Sequence, residues 1–442
     1  MSTSSQPPRS SRSLARTGRL RHVALLLHRY VGLTLVVFLV TAGLTGTVLA
    51  FNDELDAWIS PELFEVPAAE RYLPNLPPFE VAARVQASLP PGQHYRNVDF
   101  APEDGRSIQA WVEEAPGDWR QWFVSPKSGQ VLGKRKWGEL SEGKHNLIPF
   151  VYRLHYSLGL GEVGTLLFGI AALLWTFDCF VGAYLTFPQP SPAGSARAGF
   201  MRRWLPAWAI RTTKLFSFVF TWHRASGLWV WFVLLIFAWS GVGFNLSPAY
   251  SAVMKTALGM QPSGHELLPE LQPPFVQPRI GLHEAYELGR AEMAREAVER
   301  GFSVRRELGM YYADDHGAYA YVVESTLDVS KKSPRTEVYL NGQTGRLMGF
   351  SAATGVTTGN TVSSWLFMLH MGAVFGLWYQ CFVSFMGLLV AGLSITGVWI
   401  WWRKRKQRIA RKPRGLSKLV RPSEPPNELP CDDELDSLVL RG

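Results

Sequence analysis

The sequence predicts an integral membrane α-helical bundle of four transmembrane helices in two parallel repeats, with two α+β domains outside the membrane. Four long apolar runs, short basic segments between them and duplicated histidine motifs predict this fold class. The runs at 30–51, 225–250 and 371–402 contain no charged residue, and the run at 163–187 contains only Asp178. Because about 20 helical residues cross a ~30 Å hydrocarbon core, we expect each run to span the lipid bilayer.

Basic residues predict the orientation of these helices. Lys and Arg number six in residues 1–29, five in 188–214 and ten in 403–421, and none of these segments contains an acidic residue. Since Lys and Arg concentrate on the cytoplasmic side of a membrane, both termini and the middle loop are expected to be cytoplasmic. The net charge of +9 then reflects membrane topology and gives no reason to expect nucleic-acid binding.

The membrane segments read as an internal duplication. His28 and His223 are each followed by Arg at +1, Gly at +4 and Leu at +5, with a hydroxyl residue and Gly at +17 and +18. The segments "RLHYSLGLG" (153–161) and "MLHMGAVFG" (368–376) share Leu-His, followed by Gly at +6 and +27 from the histidine. Both halves start on the same side, which predicts parallel repeats about an axis along the membrane normal.

The two long segments between the apolar runs also resemble each other. "QWFVSPKSGQVLG" (121–133) and "EVYLNGQTGRLMG" (337–349) both place strand residues before a polar turn and a Gly-x-x-x-Gly pattern. Residues 79–88 and 281–300, which precede them, have helical spacing of apolar positions. Each segment is therefore expected to be a small outward α+β domain with a helix and a few antiparallel strands.

These patterns divide the chain into nine segments. They are a basic cytoplasmic N-terminus (1–22), a first span (23–51), a first outward domain (52–152), an outer histidine motif with the second span (153–187), a cytoplasmic loop (188–214), a third span (215–246), a second outward domain (247–360), an outer histidine motif with the fourth span (361–402) and a cytoplasmic tail (403–442).

Four histidines occupy matching places in the two halves. A two-fold axis would bring His28 to His223 near the cytoplasmic face and His155 to His370 near the outer face. Two facing imidazoles among apolar side chains suit axial ligation of haem iron, and helix bundles often build cofactor sites in this way. The chain has no Cys-x-x-Cys-His, the signature of covalent c-type attachment. We therefore expect two b-type haems per chain.

Other polar residues near these histidines are candidates for supporting roles. Arg29 and Arg224 could pair with haem propionates, although the enrichment of cytoplasmic loops in basic residues accounts for them equally well. Arg153 could serve the outer haem, but the corresponding residue is Met368. Asp178 is an intramembrane carboxylate and hence a functional candidate, either as the acceptor of an imidazole N–H or as a proton relay.

These motifs resemble the PepSY-associated transmembrane family. The resemblance covers roughly 20–402 and lies in "HRYVGL…LTG" (28–46), "LHYSLGLG" (154–161), "HRASGLW…SG" (223–241) and "LHMGAVFG" (369–376). Members of this family include iron-regulated inner-membrane proteins and ferrisiderophore reductases. The resemblance implies a multi-pass protein of the bacterial inner membrane with haem b, two periplasmic PepSY-like domains and electron transfer outward to a ferric siderophore.

The resemblance also bears on the electron donor. Some relatives carry a fused flavin reductase domain at the C-terminus, whereas only 40 residues follow Trp402 here and they include no glycine-rich nucleotide loop. The donor is therefore expected to be a separate quinol or a cytoplasmic reductase. The reaction class that this implies is ferric-chelate reduction, an oxidoreductase activity, and no catalytic side chain is singled out.

Two other functions stay open at this point. The outward domains could bind and regulate periplasmic peptidases, with the helices as anchors, but anchors would not need four matched histidines. A divalent-metal permease would need a polar path with carboxylates or thiolates near its centre, and Asp178 is the one carboxylate available within the apolar runs.

Overall fold

The computed structural model describes residues 9–91, 93–115, 117–189 and 199–410. Parts of the predicted N-terminus (1–22), middle loop (188–214) and tail (403–442) therefore lie outside the described residues. Helices predominate in the predicted membrane segments, and strands occur between them.

The helices are α1 (Arg9–Leu49), α2 (Asn52–Ile59), α3 (Pro61–Phe64), α4 (Pro78–Ala87), α5 (Leu147–Ser157), α6 (Gly161–Thr186), α7 (Phe200–Trp204), α8 (Leu215–Trp229), α9 (Trp231–Asn245), α10 (Ser247–Leu258), α11 (Leu282–Arg300), α12 (Thr358–His370) and α13 (Leu377–Ala410). The strands are β1 (Val98–Asp99), β2 (Ile108–Ala115), β3 (Asp118–Val124), β4 (Val131–Arg135), β5 (Val304–Ala313), β6 (Ala318–Ser325), β7 (Thr336–Asn341) and β8 (Leu347–Ser351).

Membrane-spanning helices are present by length and composition. Among the described residues, Gly18–Leu49, Gly161–Thr186 and Leu377–Ile409 are each long and apolar enough to cross a bilayer. The pair α8–α9 passes the same test as one unit and would be a fourth span, but it bends by 70° between its two helices. The chain is therefore a membrane-spanning protein, as its apolar runs predict.

The bend between α8 and α9 differs from the single helix expected over 215–246. A Ser226-Gly227 pair lies one turn before the break at Val230, and Ser-Gly steps are common sites of helix kinks. The two indoles beside the break are held by different partners: Trp229 donates to the Trp208 carbonyl at 3.1 Å and Trp231 to the Cys179 carbonyl at 2.8 Å. These contacts fix the two helices in different directions.

Antiparallel sheets form the α+β regions. Within the described ranges, β2-β3-β4 form one sheet and β1-β5-β6-β7-β8 another. In β2, Ile108 and Val112 point inward, where they pack with Val81 and Val85 of α4. This inward alternation is typical of a half-buried strand.

The second sheet packs against α11 and takes one strand, β1, from the segment between α1 and α6. Gly289 of α11 lies so close to β6 that a Cβ there would be 2.8 Å from the Tyr321 Cβ. At the sheet edge, Val98 pairs with Met310 and Asp99 with Gly309. The two α+β regions are therefore joined by backbone hydrogen bonds, which the spacing of motifs did not predict.

A buried ion pair fixes the first sheet to the helices below it. The Arg135 guanidinium of β4 lies 2.7 Å from the Asp56 carboxylate of α2, and both side chains are almost fully buried. Arg135 also donates to the His145 carbonyl, just before α5 begins. This contact sets the position of α5, which carries His155.

Candidate functional site

The two predicted histidine pairs come together in the structure. His28 on α1 and His223 on α8 have ring centroids 6.3 Å apart, with 62° between the ring planes. His155 on α5 and His370 on α12 also have centroids 6.3 Å apart, with 84° between their planes. Four helices from distant parts of the sequence thus produce two imidazole pairs of equal separation.

Glycines allow the neighbouring helices to approach these rings. A Cβ at Gly182 of α6 would lie 3.5 Å from Cε1 of His28, and one at Gly397 of α13 would lie 3.5 Å from Cε1 of His223. A Cβ at Gly46 of α1 would lie 3.1 Å from Cε1 of His155. Larger side chains at these positions would press on the imidazoles.

Every paired histidine has a hydrogen-bonding partner for Nδ1. The partners are Asp178 for His28, with both oxygens at 3.0 Å, Thr45 for His155 at 2.9 Å, Thr396 for His223 at 3.0 Å and Ser240 for His370 at 2.6 Å. In the described part of the chain, no protein group hydrogen-bonds to Nε2 of any of the four. Each ring is thus held at one nitrogen while the other remains available for a ligand.

A cavity of about 530 Å³ surrounds the His155–His370 pair. Its lining is mostly apolar and includes the aromatic side chains of Phe38, Phe168, Trp175 and Phe237. A few precisely placed polar groups within an apolar lining are typical of a site for a small molecule or cofactor.

Most of the polar residues that line this cavity lie outside the spanning segments. They are Asn52, Asp53, Lys332 and Ser333, and Gln380 joins them from the first turn of α13. The Lys332 ammonium lies 3.6 Å from the Asp53 carboxylate. Lys332 belongs to the β6–β7 loop, so the second α+β region reaches the mouth of the cavity.

The residues around both pairs lie within a region that matches a known family. The family model for the PepSY-associated TM region matches residues 25–404. The chain belongs to this family. No curated protein matches the sequence. The matched region of this PepSY-associated protein contains all four paired histidines and their Nδ1 partners, and the family predicted from the sequence is thereby confirmed.

Two of the three predicted arginines of this PepSY-associated protein donate hydrogen bonds to backbone carbonyls. Arg224 donates to the carbonyls of Ala207 at 3.1 Å and Pro206 at 2.7 Å. Arg153 donates to the Gly138 carbonyl at 3.1 Å. Arg29 makes no hydrogen bond or ion pair with another described residue. Of the four supporting residues expected, Asp178 is thus the one that contacts a paired histidine.

Donor sets of three or more groups are absent from the described ranges. Among residues 9–91, 93–115, 117–189 and 199–410, no cluster of three or more His, Cys, Asp or Glu could hold a metal ion. Each candidate site therefore offers two imidazoles.

Sequence reasoning missed the hydroxyl partners and Lys332. Thr45 and Ser240 precede a glycine at matching places in the two repeats, and Thr396 also precedes a glycine, but this pattern by itself predicts no role for the hydroxyls. At the position equivalent to Thr396, counted from His155, stands Val181. Asp178, one turn earlier, takes the place of that hydroxyl. No sequence motif indicates that Lys332 belongs to a site, because its loop reaches the cavity only through the tertiary fold.

Proposed function

We propose that this protein binds two b-type haems and carries electrons across the bacterial inner membrane to ferric siderophores in the periplasm. The observation that carries the proposal is the pair of facing imidazole couples, His28–His223 and His155–His370, each with centroids 6.3 Å apart.

This separation fits two imidazoles on one metal. A bond from an imidazole nitrogen to a metal is about 2.0–2.1 Å long. With roughly 1.1 Å from that nitrogen to the ring centre, two rings that share one metal have centroids about 6.3 Å apart. The Nδ1 partners strengthen the fit, because ligating histidines generally donate their other N–H to a carboxylate, carbonyl or similar acceptor.

The cavity around His155 and His370 supports the same assignment. Its volume of about 530 Å³ and its mostly apolar lining, which includes several aromatic side chains, suit a flat apolar macrocycle. The polar end of the cavity suits the propionate carboxylates of such a macrocycle, and Lys332 lines that end. Lys332 is therefore better placed than Arg153 to pair with a propionate of the outer haem, while Arg29 and Arg224 remain the proposed partners at the His28–His223 site.

In this proposal the two sites lie near opposite faces of the membrane. His28 and Thr45, the partner of His155, are 17 residues apart on the continuous helix α1, which corresponds to about 26 Å. The hydrocarbon core is about 30 Å thick. The basic termini and middle loop support cytoplasmic placement of the His28–His223 end.

The proposed topology counts α8–α9 as one bent span. This gives four spans in two parallel repeats, with both α+β regions as periplasmic PepSY-like domains. A haem iron held by two imidazoles alternates between Fe(III) and Fe(II) and is suited to one-electron transfer. The chain itself holds the imidazoles in place and keeps the two sites apart across the bilayer. Its apolar and aromatic side chains exclude water from the sites.

The proposed electron acceptor is a ferric siderophore. Its hard oxygen ligands bind Fe(II) more weakly than Fe(III), so reduction releases iron without destroying the chelator. The outer site lies beneath polar residues of the two outward regions, where such a chelate could dock. The proposed donor is a quinol or a cytoplasmic reductase.

Haem content tests the assignment of the ligands. We expect purified wild-type protein to contain two haems per chain, and His28→Ala and His155→Ala each to lose about half of them. His22→Ala is the matched control, since His22 is an exposed residue of α1 outside both pairs. An unchanged haem-to-protein ratio in either ligand variant would refute that pairing.

Reoxidation tests the direction and the acceptor. Reduced protein in nanodiscs should be reoxidised by a ferric siderophore, with ferrozine capturing the Fe(II) that is released. His370→Ala should keep the spectrum of the inner haem but lose this reoxidation. Failure of a panel of ferric siderophores to reoxidise the wild type would remove iron release from the proposal.

A further inference from the structure

Three of the four paired histidines have a neutral hydroxyl group as their Nδ1 partner. Thr45, Ser240 and Thr396 lie 2.6–3.0 Å from the imidazoles of His155, His370 and His223. The direction of these hydrogen bonds follows from where each hydroxyl proton goes.

Each of these hydroxyls donates its proton to the backbone of its own helix. The Oγ1 of Thr45 lies 2.6 Å from the Thr41 carbonyl and that of Thr396 lies 2.7 Å from the Gly392 carbonyl. A hydroxyl has a single proton to donate, and bonding to the carbonyl four residues earlier is usual for Ser and Thr in a helix. The oxygen therefore accepts the hydrogen bond from the imidazole.

Ser240 repeats this arrangement at the other member of the outer pair. Its Oγ lies 2.6 Å from the Ile236 carbonyl and 2.6 Å from Nδ1 of His370. Its proton is thus directed to the carbonyl, and its lone pair faces the ring.

A hydroxyl oxygen that can only accept a hydrogen bond from Nδ1 determines the tautomer of the imidazole. A neutral imidazole carries one N–H, and the other nitrogen then has a free lone pair. With Nδ1–H donated to the hydroxyl, the lone pair is on Nε2. The same hydrogen bond limits rotation of the ring, so each site is oriented before a metal arrives.

At two of the three sites, the glycine that follows the hydroxyl lies against the histidine ring. Gly46 and Gly397 lie directly after Thr45 and Thr396, and a Cβ at either glycine would be within 3.5 Å of the histidine ring. At these two sites the absence of a side chain leaves room for the ring, and the preceding hydroxyl is hydrogen-bonded to it.

We infer that Thr45, Ser240 and Thr396 are positioning residues that hold their histidines in the Nδ1–H form for iron ligation. The inference rests on the proposed function, because it takes the pairs to be haem ligands. It also distinguishes the two pairs by their Nδ1 acceptors. The outer pair depends on two hydroxyls, whereas the inner pair depends on one hydroxyl and the Asp178 carboxylate.

Thr45→Val gives the sharpest test, because it keeps the side-chain shape and removes the acceptor. In full-length protein supplied with ferric haem b, we expect the affinity of the outer site to fall about 10–100-fold. The reduction midpoint of the outer haem should also shift, while that of the inner haem stays in place. Thr45→Ser should restore both.

The matched control is Thr34→Val on the same helix. Thr34 also bonds the carbonyl four residues earlier, that of Tyr30 at 3.0 Å, but it does not contact a paired histidine. Ser240→Ala should act on the outer haem. Ser226→Ala is its control, since the Ser226 hydroxyl bonds the Trp222 carbonyl in the same manner and, within the described ranges, no paired histidine. Retention of the inner haem reports that each variant has folded.

The outcomes separate this inference from the proposed function. Two haems in the wild type, with Thr45→Val equal to Thr34→Val in outer-site affinity and midpoint, would overturn the inference alone. A wild-type protein that binds no haem would overturn both. A selective change at the outer haem that Thr45→Ser reverses would support the positioning role.

Discussion

At the scale of single residues, Asp178 distinguishes the two histidine pairs. Its carboxylate is almost buried, and both of its oxygens lie 3.0 Å from Nδ1 of His28. Counted from the outer histidine of each half, the equivalent residue in the second half is Leu393. One histidine of the inner pair therefore faces a carboxylate while its partner His223 faces a hydroxyl.

Asp178→Asn should raise the reduction midpoint of the inner haem and leave the outer one in place. A carboxylate acceptor increases the basicity of the ligating imidazole and so stabilises Fe(III), and the neutral amide removes this effect. Spectroelectrochemical titration measures both midpoints. Glu162→Gln, an exposed residue in the first turn of α6, is the control. If neither midpoint moves, Asp178 serves packing only.

At the scale of helices, α1 and α13 cross at a pair of glycines. A Cβ at Gly387 would lie 2.5 Å from the Gly43 carbonyl and 2.6 Å from Oγ1 of Thr47. A hydrogen bond crosses the same contact: the Ser384 hydroxyl donates to the Thr47 carbonyl at 3.0 Å, and the Thr47 hydroxyl lies 3.1 Å from the Ser384 carbonyl. Small residues commonly permit such close approach in membranes.

Gly387→Val should therefore destabilise the bundle by about 1–3 kcal/mol or more through overpacking. The expected result is a lower midpoint of thermal unfolding together with partial loss of haem. Gly18→Ala on α1 is the control, because no atom lies within 4 Å of a Cβ at that position. Equal stability of the two variants would contradict the close crossing.

The β6–β7 loop is fixed to α2 by an exposed ion pair. The Lys332 ammonium lies 3.1 Å from the Glu54 carboxylate. Burial acts to raise the pKa of Glu54, but a backbone N–H, the Gln380 amide and the Lys332 ammonium outweigh it, so that this pKa is lowered from its ordinary value. Glu54 is therefore ionised at neutral pH.

The Glu54–Lys332 pair should lose its effect in acid. A carboxyl group with a lowered folded-state pKa stabilises the fold above its unfolded-state pKa, and this contribution disappears as the pH falls through the folded-state pKa. Lys332→Met should thus reduce the free energy of unfolding at neutral pH by at most about 1 kcal/mol, with wild type and variant converging in acid. Lys331→Met is the control on the same loop. A difference that persists unchanged in acid would exclude Glu54 as the relevant partner.

At the scale of the whole molecule, each proposed site would supply two imidazole ligands to its haem iron. The reduced wild-type protein should then bind carbon monoxide slowly or not at all. His370→Ala opens one position and should bind it rapidly at the outer haem. Absorption spectra after carbon monoxide addition distinguish the two cases, and rapid, full binding by the wild type would contradict bis-histidine ligation.

The sequence by itself determined the features that depend on local pattern. Uncharged runs must be helical to satisfy their backbone in lipid, and this predicted the membrane-spanning segments. Matched histidine motifs predicted which imidazoles would face each other, and the structure brings His28 to His223 and His155 to His370. The helix predicted at 281–300 occurs at Leu282–Arg300.

Only the tertiary structure decided which polar groups complete the sites. Thr396 reaches His223, and Lys332 reaches the cavity, from segments far away in the chain. No periodic pattern in the sequence predicts these contacts. Arg153 turns to a nearby carbonyl, because an arginine beside a turn has backbone acceptors within reach. Likewise β1 joins the second sheet, since strand pairing depends on which edge lies exposed nearby. Hydrogen-bond partners are settled by proximity in space, which the order of residues does not specify.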